Sequence, residues 1–232
     1  MEGKKVSWDV RDIGKVLIVF VAVLALQMYL GLFRPPTESH LNTPFGRVAL
    51  MTGSYLILVL LVWFFGIKKR NGSLKDLGFK AFRFMSVLGK VFIWLVLVKI
   101  LTAIYAVFTS SVLNFEPPKM VTGIPDIFGK GISGFLLAIF VSVVVAPLAE
   151  EIFFRGFIYT ALRDKIGIAW AALISSFIFA IFHGSLWMTV PILLLGIVLV
   201  YLYERENSIG PPIIFHALNN LVSLLIIYSL GV

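Results

Sequence analysis

Apolar stretches near the roughly 20-residue length that a helix needs to cross a hydrocarbon core of about 30 Å recur along almost the whole chain. They predict seven spans, at 13–33, 46–67, 86–109, 132–161, 167–184, 186–203 and 210–230. Turn-forming segments part them: "FRPPTES", "KRNGSLKDLG", "NFEPPKMVTGIPD" and "ENSIGPP". Strands of a membrane β-barrel would alternate apolar and polar residues over roughly ten positions, and nothing here alternates that way. The expected fold is all-α: a polytopic membrane helical bundle of about seven transmembrane helices, with seven or eight compatible with the pattern. No internal repeat or low-complexity tract divides it. Residues 1–232 read as a single membrane domain, with three spans and connecting loops in 1–131 and a four-span core in 132–230.

Composition agrees. The chain has 232 residues, 59% hydrophobic and 14% charged, whereas soluble domains are nearer half apolar and a quarter charged. It contains no cysteine, which excludes disulfides, a thiolate metal site and a cysteine nucleophile. The first apolar run follows basic residues but shows no small-residue cleavage site, so it reads as a retained helix.

The net charge of +8 comes mainly from loops beside the spans, where it sets topology, and no nucleic-acid partner is expected. With the N-terminus inside, the inner segments carry Lys4, Lys5, Arg11, Lys15, Lys68, Lys69, Arg70, Lys75, Lys80, Arg83, Arg163, Lys165 and Arg205. The outer ones hold only Arg34, Arg47, Lys119 and Lys130. An integral, multi-pass protein of the plasma membrane is expected, its N-terminus cytoplasmic and, with seven spans, its C-terminus outside.

A charge at the bilayer centre costs about 3 kcal/mol on insertion scales, so each intramembrane polar residue is a functional candidate. The spans contain Lys90, Lys99, Glu150, Glu151, Arg155, His183, His216, Asn219 and Asn220. Glu151 and Arg155 are four apart and share a helix face, as do Phe179 with His183 and His216 with Asn220. At about 1.5 Å per residue, Glu150 lies some 17 Å from the inner end of its span, His183 some 24 Å and His216 roughly 9 Å. Tilt or a different helix end must close that gap if the three meet. A carboxylate in apolar surroundings suits a general base, and Glu151 held by Arg155 would act as a brace. The bland alternative is that these groups simply lock helices together. Lys99 reads as a snorkelling or ordinarily paired lysine, Lys90 as an inner-face residue, and His40 as solvated.

Three segments, "EEIFFR" (150–155), "FAIFH" (179–183) and "HALNN" (216–220), resemble in order the signatures E-E-x-x-x-R, F-x-x-x-H and H-x-x-x-N of the type II CAAX prenyl protease and bacteriocin-processing (CPBP, or Abi) intramembrane proteases. "SLKDLGFK" (73–80) and the approach "GIVLVYLYERENSIGPPIIFHALNN" (196–220) look similar too. The resemblance covers roughly 130–225 and makes 132–230 the catalytic core. It implies that Glu150, with His183, activates a water molecule for attack on a peptide carbonyl. Arg155 would orient Glu151 in support, and His216 and Asn220 would donate to the oxyanion. A water must enter, and an opening toward the cytoplasmic side is expected.

The implied substrate is a membrane-associated peptide or protein, prenylated or bacteriocin-like, met in the lipid bilayer. No cofactor is favoured. One Glu and two His also form a ligand set for catalytic zinc or another divalent metal, which Glu150, His183 and His216 would then hold. H-E-x-x-H is absent, and the same residues serve a glutamate-dependent reaction without an ion. Two other readings compete. A non-catalytic immunity or adaptor protein would be expected to have lost Glu150, His183 or His216. A proton-coupled transporter would show paired repeats or broken helices.

Overall fold

The computed structural model describes residues 6–29, 43–115 and 123–229. His40, with Lys4, Lys5, Arg34 and Lys119, lies outside them. Helices α1 (Val10–Tyr29), α2 (Pro44–Val62) and α3 (Phe84–Leu113) are followed by the short α4 (Ile124–Phe128). One long rod then runs through α5 (Gly131–Ile139), a wide π-helical turn Phe140–Val145, α6 (Ala146–Glu151), a second π-helical stretch Ile152–Tyr159, and into α7 (Thr160–Phe182). Helices α8 (Thr189–Glu206) and α9 (Gly210–Ser229) complete the chain. The protein is an all-α membrane bundle, and no strand occurs among the described residues. Among the described residues, four helical stretches are long and apolar enough to cross a membrane: Pro44–Lys68, Phe84–Leu113, Gly131–Phe182 and Gly210–Ser229. The described part of each of the seven segments read from the sequence falls largely on helix.

Local chemistry sets several of these boundaries. Thr43 caps α2 by accepting from the backbone N–H of Gly46 at 3.1 Å, and Pro44 occupies the first turn, where its missing N–H costs nothing. The rod reverses at Gly167, whose φ of 79° and ψ of 170° lie in a region open to glycine. The part of α7 after Gly167 therefore folds back against the rod as an antiparallel arm. This corrects the inner boundary of the fourth segment, which runs to Gly167 and not to 161.

One end of the bundle is basic and tightly knit. Arg70 bonds the buried Asp12 through Nη2 at 2.7 Å and Nε at 2.8 Å. Arg163 pairs with Glu204 at 2.9 Å, and the backbone N–H of Val6 donates to Asp164. The "SLKDLGFK" loop docks here on the α8–α9 turn: Gly78 O accepts from Ile209 N at 2.8 Å, and Lys80 Nζ donates to Asn207. Above this end sits the main core, in which Phe153, Phe157, Phe179 and Phe215 are fully buried. A smaller cluster of Val48, Phe128, Ala138, Val141 and Leu224 joins α2, α4, α5 and α9 at the other end.

Candidate active site

The reversal at Gly167 brings the first two motifs together. Glu150 lies 17 positions before it and His183 16 positions after it, so an antiparallel pair sets both about 24 Å from the turn. Placing the inner end at 161 created the apparent gap. The third motif arrives by another contact: a Cβ on Gly156 would lie 2.9 Å from Leu77 O and 3.4 Å from Ile209, so Gly156 and Ile209 share a level. Glu150 is six positions above Gly156 and His216 seven above Ile209, about 10 Å in each case.

A cavity of about 340 Å³ opens at that level among α1, α2, the rod, the end of α7 and α9. Glu150, His183, His216 and Asn220 line it together with Tyr55 and apolar walls that include Phe20, Leu24, Phe154 and Phe182. Glu151 and Arg155 stand behind it, 0% and 1% exposed.

Each polar group has a defined place. Glu150 Oε1 accepts from the Tyr55 hydroxyl at 2.7 Å. Its Oε2 accepts no hydrogen bond from the described residues and lies 3.8 Å from His216 Nε2. Glu151 Oε1 accepts from Arg155 Nη1 at 2.9 Å and from His216 Nδ1 at 2.8 Å. The brace expected from the four-residue spacing is thus formed, and His216 joins it. Arg155 also donates to Gly196 O at 3.3 Å and stacks over Phe179, 4.3 Å from the ring centre. Phe179 in turn meets His183 edge-on at 4.6 Å and His216 at 5.7 Å. The phenylalanine of the second motif is therefore the wall on which the arginine and both imidazoles are set.

His183 Nδ1 faces Phe179 O at 2.8 Å. A carbonyl only accepts, so Nδ1 carries the proton and Nε2 of the neutral ring is an acceptor. His216 Nδ1 is fixed as a donor by the same reasoning, because its partner is the Glu151 carboxylate. Asn220 is placed by a backbone defect. Pro147 has no N–H, and in the wide turn before it Ala146 N–H reaches back to Val141 O. Ser142 O loses its usual helical donor, and Asn220 Nδ2 supplies one at 2.9 Å. That bond takes one of the two N–H groups of the amide.

Tyr55 escaped the sequence reading. The available signal was a phenol within an apolar span, where a hydroxyl needs an internal partner. Lys99 is paired in an ordinary way: Nζ donates to Asn219 O at 3.0 Å and to Ser223 at 2.7 Å. Lys90 forms an ion pair with Glu206. Glu150, His183 and His216 are donor types that suit zinc. Among the described residues, however, no three His, Asp or Glu side chains are placed to share an ion. His216 Nδ1 is also committed to Glu151.

The comparisons bear on the stretch that carries the three motifs. Residues 132–222 match the family model described as "Type II CAAX prenyl endopeptidase Rce1-like". The chain is 40% identical over 84 residues to "Putative membrane peptidase YdiL" of Bacillus subtilis (strain 168), covering 36% of this chain and 34% of that protein. It is 28% identical over 172 residues to "UPF0177 protein YxdF" of Lactococcus lactis subsp. lactis (strain IL1403), covering 74% of this chain and 90% of that protein. The chain thus spans about a third of the length of the first relative and most of the second. No solved structure matches. The stretch that carries all three motifs, residues 132–222, is thus similar to the type II CAAX prenyl endopeptidase Rce1-like family.

Proposed function

We propose that this chain is an intramembrane endopeptidase, with 132–230 as its catalytic core and Glu150 as its general base. One observation carries the reading. Glu150 lines a cavity with one carboxylate oxygen fixed by Tyr55 and the other, Oε2, unengaged beside an imidazole. In the proposed reaction Oε2 takes a proton from water while the water oxygen bonds to the carbonyl carbon of the substrate. The carbonyl π electrons move onto its oxygen. The C–N bond then breaks, and the proton held by Glu150 passes to the departing amine. His183 Nε2, an acceptor, helps orient the water.

The free N–H of Asn220 is a suitable oxyanion donor, and one such donor is worth roughly 3 kcal/mol in the transition state. His216 can donate through Nε2 only as the imidazolium, because Nδ1 already serves Glu151. The apolar walls exclude bulk water and strengthen each of these interactions. The substrate would be a membrane-associated peptide or protein, and the protein would sit in the plasma membrane with its N-terminus in the cytoplasm.

The test compares cells producing the wild type with cells producing Glu150→Ala at matched levels. Membrane peptides and protein termini are profiled by mass spectrometry. New termini formed only with the wild type are expected. Identical profiles would sink the peptidase reading in favour of a non-catalytic immunity or adaptor role.

A further inference from the structure

We propose that the cavity takes its substrate from the side of the membrane opposite the basic end. With the N-terminus cytoplasmic, the scissile segment then belongs to an exported or outer-leaflet-anchored polypeptide, not to a cytosolic protein. The kind of substrate rests on the peptidase reading above; the side of access does not.

Toward the basic end the cavity is closed. Residues 151–161 are all buried, and on the facing helix Leu58 and Val62 are 2% and 0% exposed. Beneath them Trp8 stacks on Phe157 at 5.6 Å and donates from Nε1 to its carbonyl at 2.9 Å, fastening α1 across the rod. A chain entering from this end would have to part that packing.

Toward the other end the walls are of unequal height. Helix α7 stops at Phe182, level with Glu150. The rod begins at Gly131, 19 positions beyond Glu150, and α9 ends at Ser229, 13 positions beyond His216. These are rises of about 28 and 20 Å. The turn after α7 packs on α3 through Trp187, which is buried and donates to Thr109 Oγ1 at 3.0 Å, while Phe182 and Leu186 on the same step stay 36% and 82% exposed. The cavity-lining residues Met51, Ser142 and His183 are half-buried. The small cluster around Phe128 and Val141, against which Met51 packs, fills the flank between α2, α5 and α9 at this end.

Charge supplies the direction. Arg11, Lys68, Lys69, Arg70, Lys75, Lys80, Arg83, Arg163, Lys165 and Arg205 belong to the closed end, and basic residues beside spans mark the cytoplasmic face. The mouth therefore faces outward, opposite to the cytoplasmic opening expected from the sequence. A peptide descending past α7 meets Phe20, Phe154 and Phe182 beside Glu150, which favours apolar side chains around the scissile bond.

The cysteine-free chain makes the side of access directly measurable. Single variants Met51→Cys, in the cavity wall, and Lys75→Cys, in the basic loop, are introduced into the full chain. Right-side-out and inside-out membrane vesicles are exposed to a negatively charged, membrane-impermeant methanethiosulfonate. It reacts with the hydrated thiolate and so reports water access. Modification of Met51→Cys is expected in right-side-out vesicles and its loss in inside-out ones, with Lys75→Cys showing the reverse. Ser142→Cys, on the facing wall, replaces Met51→Cys if that variant does not accumulate. The proposal is overturned if the wall cysteine reacts only in inside-out vesicles, if it reacts in neither, or if Lys75→Cys reacts in right-side-out vesicles. Labelling needs no catalysis, so unchanged termini with Glu150→Ala would sink the peptidase reading and leave this result standing.

Discussion

The hydroxyl of Tyr55 donates to Oε1 of Glu150 at 2.7 Å, joining two residues 95 positions apart. It fixes one lobe of the carboxylate and leaves the other, Oε2, without a hydrogen bond from the described residues, 3.8 Å from His216 Nε2. Hydrogen bonds to charged groups contribute about 1.5–3 kcal/mol. Tyr55→Phe should therefore lower the cleavage rate about 10- to 100-fold. Single-turnover cleavage checks it, and an unchanged rate would remove Tyr55 from the site.

Glu150→Gln keeps the shape of the side chain and the bond from Tyr55 but removes the base. Its cleavage rate should fall by about 10²- to 10⁴-fold, the usual worth of general base catalysis. The melting temperature in detergent should stay near that of the wild type. A variant that still cleaves would assign the base elsewhere.

Arg155→Ala acts on stability as well as rate. It leaves Glu151 as a fully buried carboxylate with only His216 as a partner, and takes the donor from Gly196 O. Breaking a buried pair by removing one partner costs about 3–5 kcal/mol. Its melting temperature should drop well below that of Glu150→Gln, and equal melting of the two would contradict the brace.

Gly196 lets α8 approach α7 closely enough for Arg155 to reach its carbonyl. A Cβ there would stand 2.7 Å from the Ser176 Cβ. Gly196→Ala should cost about 1–3 kcal/mol through overpacking, and Ser176→Gly in the same chain should restore part of the loss. No recovery in a thermal melt would mean that the contact does not limit the packing.

The ion-free mechanism makes its own forecast. Preincubation of the purified protein with 1,10-phenanthroline or EDTA should leave cleavage intact. Loss of activity that zinc then restores would establish a metal reaction at Glu150, His183 and His216.

What the sequence determined by itself was local. The helical repeat of 3.6 residues per turn sets four-residue neighbours on one face. Glu151 with Arg155 and Phe179 with His183 were therefore legible as pairs, and both are formed. The cost of polar groups in lipid singled out Glu150, His183, His216 and Asn220, and all four line one cavity. The membrane bundle followed from span length and composition.

What only the tertiary structure decided was how the helices slide past one another. The reversal at Gly167 levels Glu150 with His183, and the contact of Gly156 with the α8–α9 turn levels His216 with both. The same offsets bring Tyr55 to Glu150, attach His216 to Glu151 and leave α7 short beside the cavity. Spacing within a helix is fixed by its backbone hydrogen bonds, whatever surrounds it. The relative height of two helices is set by side-chain packing between residues far apart in the chain, and no local pattern records it.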